Sequence, residues 1–297
     1  MVSPEMEKVK AQLRALQAKA ELSVEASRSG LEGLASLAGL PRIVKREKVM
    51  AGTVSAKWFW FPGALEKKVI LYLHGGGYVA GSIITHQDLG ARIAKASNTR
   101  ILIIDYRRAP EHPFPAALED AVTAYHWLTS AGGLAPENIV IAGDSAGGGL
   151  TAATLVKLRD DGIPLPAAAV MLSPWTDLAR TGNSVQLKAA EDPFLTPAEL
   201  EFDANLYIKD NNAKNPLISP LYADLAGLPP LLIQVGTAEI LLDDAIRLAE
   251  RAKAAGVDVT LDIWPDMIHV WQAFAIVAPE SRAAIEKIGA FIKKYIV

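Results

Sequence analysis

One stretch constrains this chain more than any other: Ile139-Val-Ile-Ala-Gly-Asp-Ser-Ala-Gly-Gly148, an aliphatic run, a turn with glycines on both sides of Ser145, then small residues. A Gly143-x-Ser145-x-Gly147 turn behind an aliphatic strand calls for a sharp strand-to-helix elbow, because only small neighbours allow the backbone to close so tightly. The serine hydroxyl is then left exposed beyond the end of a sheet. It also lies at a helix N-terminus, where the backbone dipoles favour negative charge. The pentapeptide by itself is common, and an idle serine in a glycine-rich turn is the bland alternative. Its flanks favour the elbow: Asn138 to Ala142 is largely β-branched and apolar, and Leu150 to Leu158 repeats apolar residues at helical spacing.

The same alternation runs along most of the chain. Strand-type runs at Val69 to Leu73, Ile101 to Asp105, Ile139 to Ala142, Ala168 to Leu172, Leu231 to Val235 and Val257 to Ile263 are separated by helical segments. Such a pattern predicts an α/β fold, a mostly parallel sheet covered by helices on both faces. Two half-exposed strands precede it, Ile43 to Met50 and Val54 to Phe61, and the aromatic group Trp58 to Phe61 reads as sheet packing. Met1 to Leu40 reads as helical, with Val9, Leu13 and Leu16, then Leu31, Leu34 and Leu37, at helical spacing, closed by Gly39 and Pro41. It serves either as core packing or as part of a lid. Between Ser184 and Asn215 the alternation breaks into a polar stretch with Glu191-Asp192-Pro193 and Asn211-Asn212, which predicts a helical insertion. The expectation is one α/β domain over residues 1–297, with a helical cap built from about 1–40 plus about 184–215.

Composition removes several function classes. The formal charge of -3 offers no basic field for nucleic acid or anionic membrane, so a small neutral substrate is expected. With no cysteine there is no disulfide, thiolate metal site or cysteine nucleophile. Met1 to Ala20 carries no apolar signal region, and no segment approaches the ~18 apolar residues of a membrane span. A cytoplasmic protein without a membrane span is the expectation.

A serine nucleophile needs a base, and the base needs a carboxylate to fix its tautomer and stabilise its cation. On an elbow fold these follow in the order serine, acid, histidine. Of the five histidines only His269 lies beyond Ser145, on a loop after a strand; His74, His86, His112 and His126 precede it and read as structural. The acid is expected just off the Leu231 to Val235 strand, where Glu239 stands. Asp243 and Asp244 compete, although acids in a first helical turn often serve the dipole. Donors for an oxyanion are expected from His74-Gly-Gly-Gly77, directly after a strand and about 70 residues before the elbow, because glycines let N–H groups converge. Gly76, Gly77 and Ala146 would supply them.

With these residues in place the chain resembles the bacterial hormone-sensitive-lipase-like carboxylesterases of the α/β-hydrolase fold. The likeness spans nearly everything after about Ile70 and rests on His74-Gly-Gly-Gly77, Asp105-Tyr-Arg-Arg-Ala-Pro-Glu-His-Pro-Phe-Pro-Ala116, Gly143-Asp-Ser-Ala-Gly147 and Asp266-Met-Ile-His269. The resemblance implies hydrolysis of short-acyl esters, no metal or organic cofactor, a two-part lid, and dimerisation through the last strand and helix. It also implies that Asp105 to Glu111 braces the oxyanion loop. The family usually has Asp where this chain has Glu239, so a slightly different loop geometry is expected. Two rivals keep the scaffold: a carrier that binds a ligand without turnover, and a hydrolase of amides.

Overall fold

A computed structural model describes residues 2–18, 21–36 and 39–296. Eight strands form one sheet: β1 (Lys45–Ala51), β2 (Val54–Trp60), β3 (Leu65–Leu73), β4 (Thr99–Ile104), β5 (Ile139–Asp144), β6 (Ala168–Leu172), β7 (Leu231–Gly236) and β8 (Val259–Trp264). Their order is β1-β2-β4-β3-β5-β6-β7-β8. β2 pairs antiparallel with both β1 and β4, and every later pairing is parallel. The central strands β5, β6 and β7 are buried at every residue, as parallel strands covered on both faces must be. β1, at one edge, exposes Lys45, Arg46, Glu47 and Lys48, charges that discourage another strand from adding there.

Alternate side chains of each central strand feed two cores. Val69, Leu71, Leu73, Ile139 and Ile141 point to the core closed by helices α4 (Ala116–Thr129), α5 (Ala146–Asp160) and α8 (Leu242–Ala254). Ile70, Tyr72, Val140 and Ala142 point to the core under α3 (Ile83–Ser97) and α9 (Pro279–Tyr295). The 3.6-residue period is visible in α9, which buries Ile285, Ile288 and Ile292. α9 crosses α3 closely at Gly289, where a Cβ would stand 2.6 Å from the Ala96 carbonyl. No helix among the described residues is long and apolar enough to cross a membrane.

The N-terminal segment forms two helices, α1 (Pro4–Gln17) and α2 (Val24–Ser36). Ser3 caps α1 by accepting from Met6 N, Pro4 occupies its first turn, and Glu280 holds the Ser3 N–H at 2.6 Å and its hydroxyl at 2.8 Å. Its buried face is Met6, Val9 and Leu13, packed on Met267, Ile268 and Trp271. The expected Leu16 is instead 55% exposed, because that face occupies the earlier turns and the last turn runs past it. Leu37 lies outside the described residues. α2 is tied down by Arg28, which donates to Val79 O, Ala109 O and both Glu111 carboxylate oxygens. The insertion expected at 184–215 carries α6 (Ser184–Leu187) and α7 (Pro197–Ile208). α7 opens on a reciprocal Thr196–Glu199 capping box and stacks Tyr207 on Tyr78, ring centroids 3.8 Å apart.

Candidate active site

Ser145 occupies the turn between β5 and α5 with φ 52° and ψ -122°. This backbone directs the hydroxyl away from its own helix, so α5 has no side-chain cap. The turn is held by Ser145 N donating to Leu172 O at 2.8 Å and by Ser145 O accepting from Trp175 N at 2.9 Å. It is compact because Gly147 lies against the Leu73 and His74 carbonyls, where a Cβ would collide. The non-glycine residues Tyr78, Ser173 and Val270 also hold positive φ here, at 65°, 45° and 47°. Such conformations cost roughly 1–3 kcal/mol each and survive only where the surrounding contacts enforce them.

His269 and Glu239 meet at the same edge of the sheet, both buried. His269 Nδ1 donates to Glu239 Oε2 at 2.9 Å. The other oxygen, Oε1, accepts from Gly236 N at 2.7 Å and from the Ser173 hydroxyl at 2.8 Å. Ser173 Oγ in turn accepts from Val270 N at 3.1 Å. Leu172 and Ser173, adjacent at the end of β6, therefore join the serine turn to the histidine–glutamate pair. Burial works against charge on His269, but the Glu239 hydrogen bond and charge, with the more distant Asp192 and Asp144, raise its pKa overall. Ser145 Oγ makes no hydrogen bond among the described residues, and neither does His269 Nε2.

The competing acids are occupied elsewhere. Asp244 is fully buried and takes the Thr176 and Asp177 N–H groups on one oxygen, each at 2.8 Å. Burial and the neighbouring Asp177 push it up to about 8. Asp243 accepts from Ser184 N at 2.9 Å. Both pin loops that run past α8, a use more specific than the general dipole effect of acids in a first turn.

The glycine loop after β3 divides its donors. Gly75 N turns inward to Asp144 Oδ1 at 3.1 Å, whereas the N–H groups of Gly76, Gly77 and Ala146 donate to nothing among the described residues. Gly76 and Gly77 have φ of 115° and 62°, which a side chain would resist. Tyr106 holds the loop from below, its hydroxyl donating to His74 O at 2.7 Å and its ring stacked on His74 at 4.1 Å. Arg108 donates to Gly81 O, and Ala109 N to Tyr78 O. Burial and the nearby His86 lower the His74 pKa to about 3, so this histidine is neutral.

Sequence reasoning missed several participants. Asp144 gathers Tyr72, Gly75 and His86 around one buried carboxylate. From the 184–215 segment, Phe194 stacks on the His269 ring at 5.8 Å. Asp192 accepts from Phe194 N, Leu195 N and, beside Glu239, Ile240 N. Burial pushes Asp192 up to about 6 against the pull of His269 and these N–H groups. The Asp-Pro turn was a visible signal in the sequence; its neighbours in space were not.

The sheet order, the elbow at its carboxyl edge and the helices on both faces define an α/β-hydrolase, and the profile of that fold matches residues 70–273. The chain is 43% identical over 293 residues to an acetyl-hydrolase of Streptomyces hygroscopicus, covering 99% of this chain and 97% of that protein. It matches the crystal structure of an esterase from the bacterial hormone-sensitive lipase family with a TM-score of 0.97 and 48% identity, covering 100% of each chain. A substituted form of the esterase E40 matches with a TM-score of 0.97 and 49% identity over 99% of this chain and 100% of that one. The chain belongs to the bacterial hormone-sensitive-lipase family of α/β-hydrolases, and it is a carboxylic ester hydrolase.

Proposed function

We propose that this esterase cleaves short-chain acyl esters through a Ser145–His269–Glu239 triad and an acyl-enzyme. The observation that carries the reading is the 2.9 Å bond from His269 Nδ1 to Glu239, which leaves Nε2 without a partner among the described residues. In the first step His269 Nε2 takes the Ser145 proton as Oγ bonds to the ester carbonyl carbon. The resulting oxyanion accepts hydrogen bonds from the Gly76, Gly77 and Ala146 N–H groups. Glu239 holds the imidazolium in place. When the tetrahedral species collapses, the alkoxide leaves with the proton from His269, and a water deprotonated by the same nitrogen releases the acid. Glutamate reaches the histidine where the family usually has aspartate, its far oxygen held by Gly236 and Ser173.

In this reading α1, α2 and the 184–215 segment form the cap. Supporting it, α1 packs on the His269 loop, Arg28 of α2 bonds the glycine loop at Val79, and Phe194 and Tyr207 stack on His269 and Tyr78. The likeness to an acetyl-hydrolase supports short acyl groups as substrates. The half-exposed edge strand β8, with Ile263 41% exposed, together with α9, is the face on which two copies would pair. The deciding experiment is turnover of p-nitrophenyl butyrate. Ser145→Ala should abolish it, and retained hydrolysis would overturn the assignment.

A further inference from the structure

α7 brings a carboxyl group to the glycine loop that the triad does not account for. The Asp203 side chain lies directly over Gly77: a Cβ on that glycine would collide with Asp203 Oδ2 and stand 2.6 Å from its Cγ. The carboxyl makes no hydrogen bond or ion pair among the described residues. Neighbouring acids on the same helix are engaged, Glu199 in the capping box with Thr196 and Glu201 opposite Arg180 at 3.6 Å. A half-buried carboxyl without a partner is costly to ionise, and nothing in the packing of α7 requires one here.

We propose that Asp203 sets the rate of ester hydrolysis from the cap: protonated, it is compatible with the oxyanion at Gly77, and ionised, it opposes that oxyanion. The inference rests on the reading that the Gly77 N–H binds the oxyanion. A negative charge against an oxyanion donor raises the energy of the tetrahedral species more than that of the neutral bound ester, so it slows turnover rather than weakening binding. The titratable groups around Asp203 do not offset this. Glu199, one turn away on α7, adds a like charge, and His74 at the base of the glycine loop is neutral. Burial, followed by the Glu199 charge, pushes Asp203 up to about 8, which puts the change within an accessible range.

The test is kcat and KM for p-nitrophenyl butyrate between pH 6 and 10, comparing wild type, Asp203→Asn, Glu199→Gln and Ser145→Ala. For wild type, kcat should fall about tenfold from pH 7 to 9, as expected for one group with a pKa near 8 whose ionised form is inactive, with KM little changed. Asp203→Asn should lose that decline. Glu199→Gln, which keeps a capping oxygen but removes the like charge, should move the decline to lower pH. A decline in Asp203→Asn that follows the wild-type curve overturns the inference, as does an unmoved midpoint in Glu199→Gln. Turnover by Ser145→Ala would instead overturn the triad reading, so the two failures are separable.

Discussion

Two buried carboxylate–histidine pairs lie at the carboxyl edge of the sheet, built from almost the same parts. Asp144 takes His86 Nε2 at 3.2 Å, the Tyr72 hydroxyl and Gly75 N. Glu239 takes His269 Nδ1 at 2.9 Å, the Ser173 hydroxyl and Gly236 N. In both pairs burial opposes charge on the imidazole and the carboxylate overrides it, so both histidine pKa values are raised. What separates them is the second ring nitrogen. His86 Nδ1 is 2.7 Å from Thr85 Oγ1, whereas His269 Nε2 bonds nothing among the described residues. A histidine with both nitrogens engaged braces a scaffold; one with a free nitrogen beside a serine elbow can move a proton.

Histidine replacement should separate the two pairs most. His269→Gln should lower kcat by about 10⁴–10⁶-fold. His86→Gln should lower it by less than about tenfold while costing about 1–3 kcal/mol of stability, because buried partners lose a charged hydrogen bond. Steady-state kinetics and urea unfolding of both variants check the contrast, and comparable losses of turnover would erase it.

A smaller effect is expected from the acids. Glu239→Ala should reduce kcat by about 10³–10⁴-fold. Asp244→Ala should instead act on stability, by about 2–3 kcal/mol, since the Thr176 and Asp177 N–H groups are left without an acceptor. If the activity ranking came out reversed, the assignment of the acid would be wrong.

The smallest effects are in the pH dependence, where the two pairs differ in what they report. In the proposed triad His269 acts when neutral, and its pKa is raised from 6.5, so kcat/KM should fall as pH drops through a value above 6.5. Glu239→Gln should shift that limb downward, measured on its residual activity. The other pair reports through stability. His86, raised, stabilises fully below about 6.5 and loses this as pH rises through its folded value. Asp144, whose pKa is lowered because His86 and Tyr72 outweigh burial, stabilises above about 3.8 and loses this as pH falls through its folded value. The deficit of His86→Gln in urea unfolding should therefore be larger at pH 5 than at pH 9.

Much of this architecture is written in local patterns. The run expected at Ala168 to Leu172 is β6 without adjustment, and β5 and β7 extend the expected runs only into Gly143–Asp144 and Gly236. β3 begins earlier than its apolar run, at Leu65, because Glu66 to Lys68 lie in an exposed part of the strand that an apolar pattern cannot reveal. The glycine turn and the order of residues along the chain single out Ser145, His269 and a short set of acids, since these depend on backbone sterics and sequence position alone. Which acid meets the histidine is a different kind of fact. Asp243 and Asp244 follow β7 within a few residues as Glu239 does, and only their positions in space turn them toward Ser184 and Thr176.

The chain by itself thus carries the strand and helix periodicities and the elbow, decided within a few residues by sterics and burial, and its residue order leaves His269 as the one histidine downstream of the elbow. The tertiary structure decides the rest: Asp144 gathering His86, Ser173 bridging Glu239 and Val270, Asp192 reaching Ile240, and Asp203 resting on Gly77. These contacts join residues far apart in the chain, Val270 and Ser173 by 97 positions and Asp203 and Gly77 by more still. Hydrogen bonds and charge interactions act over a few ångströms of space, and it is the side-by-side order of the strand ends that sets those distances.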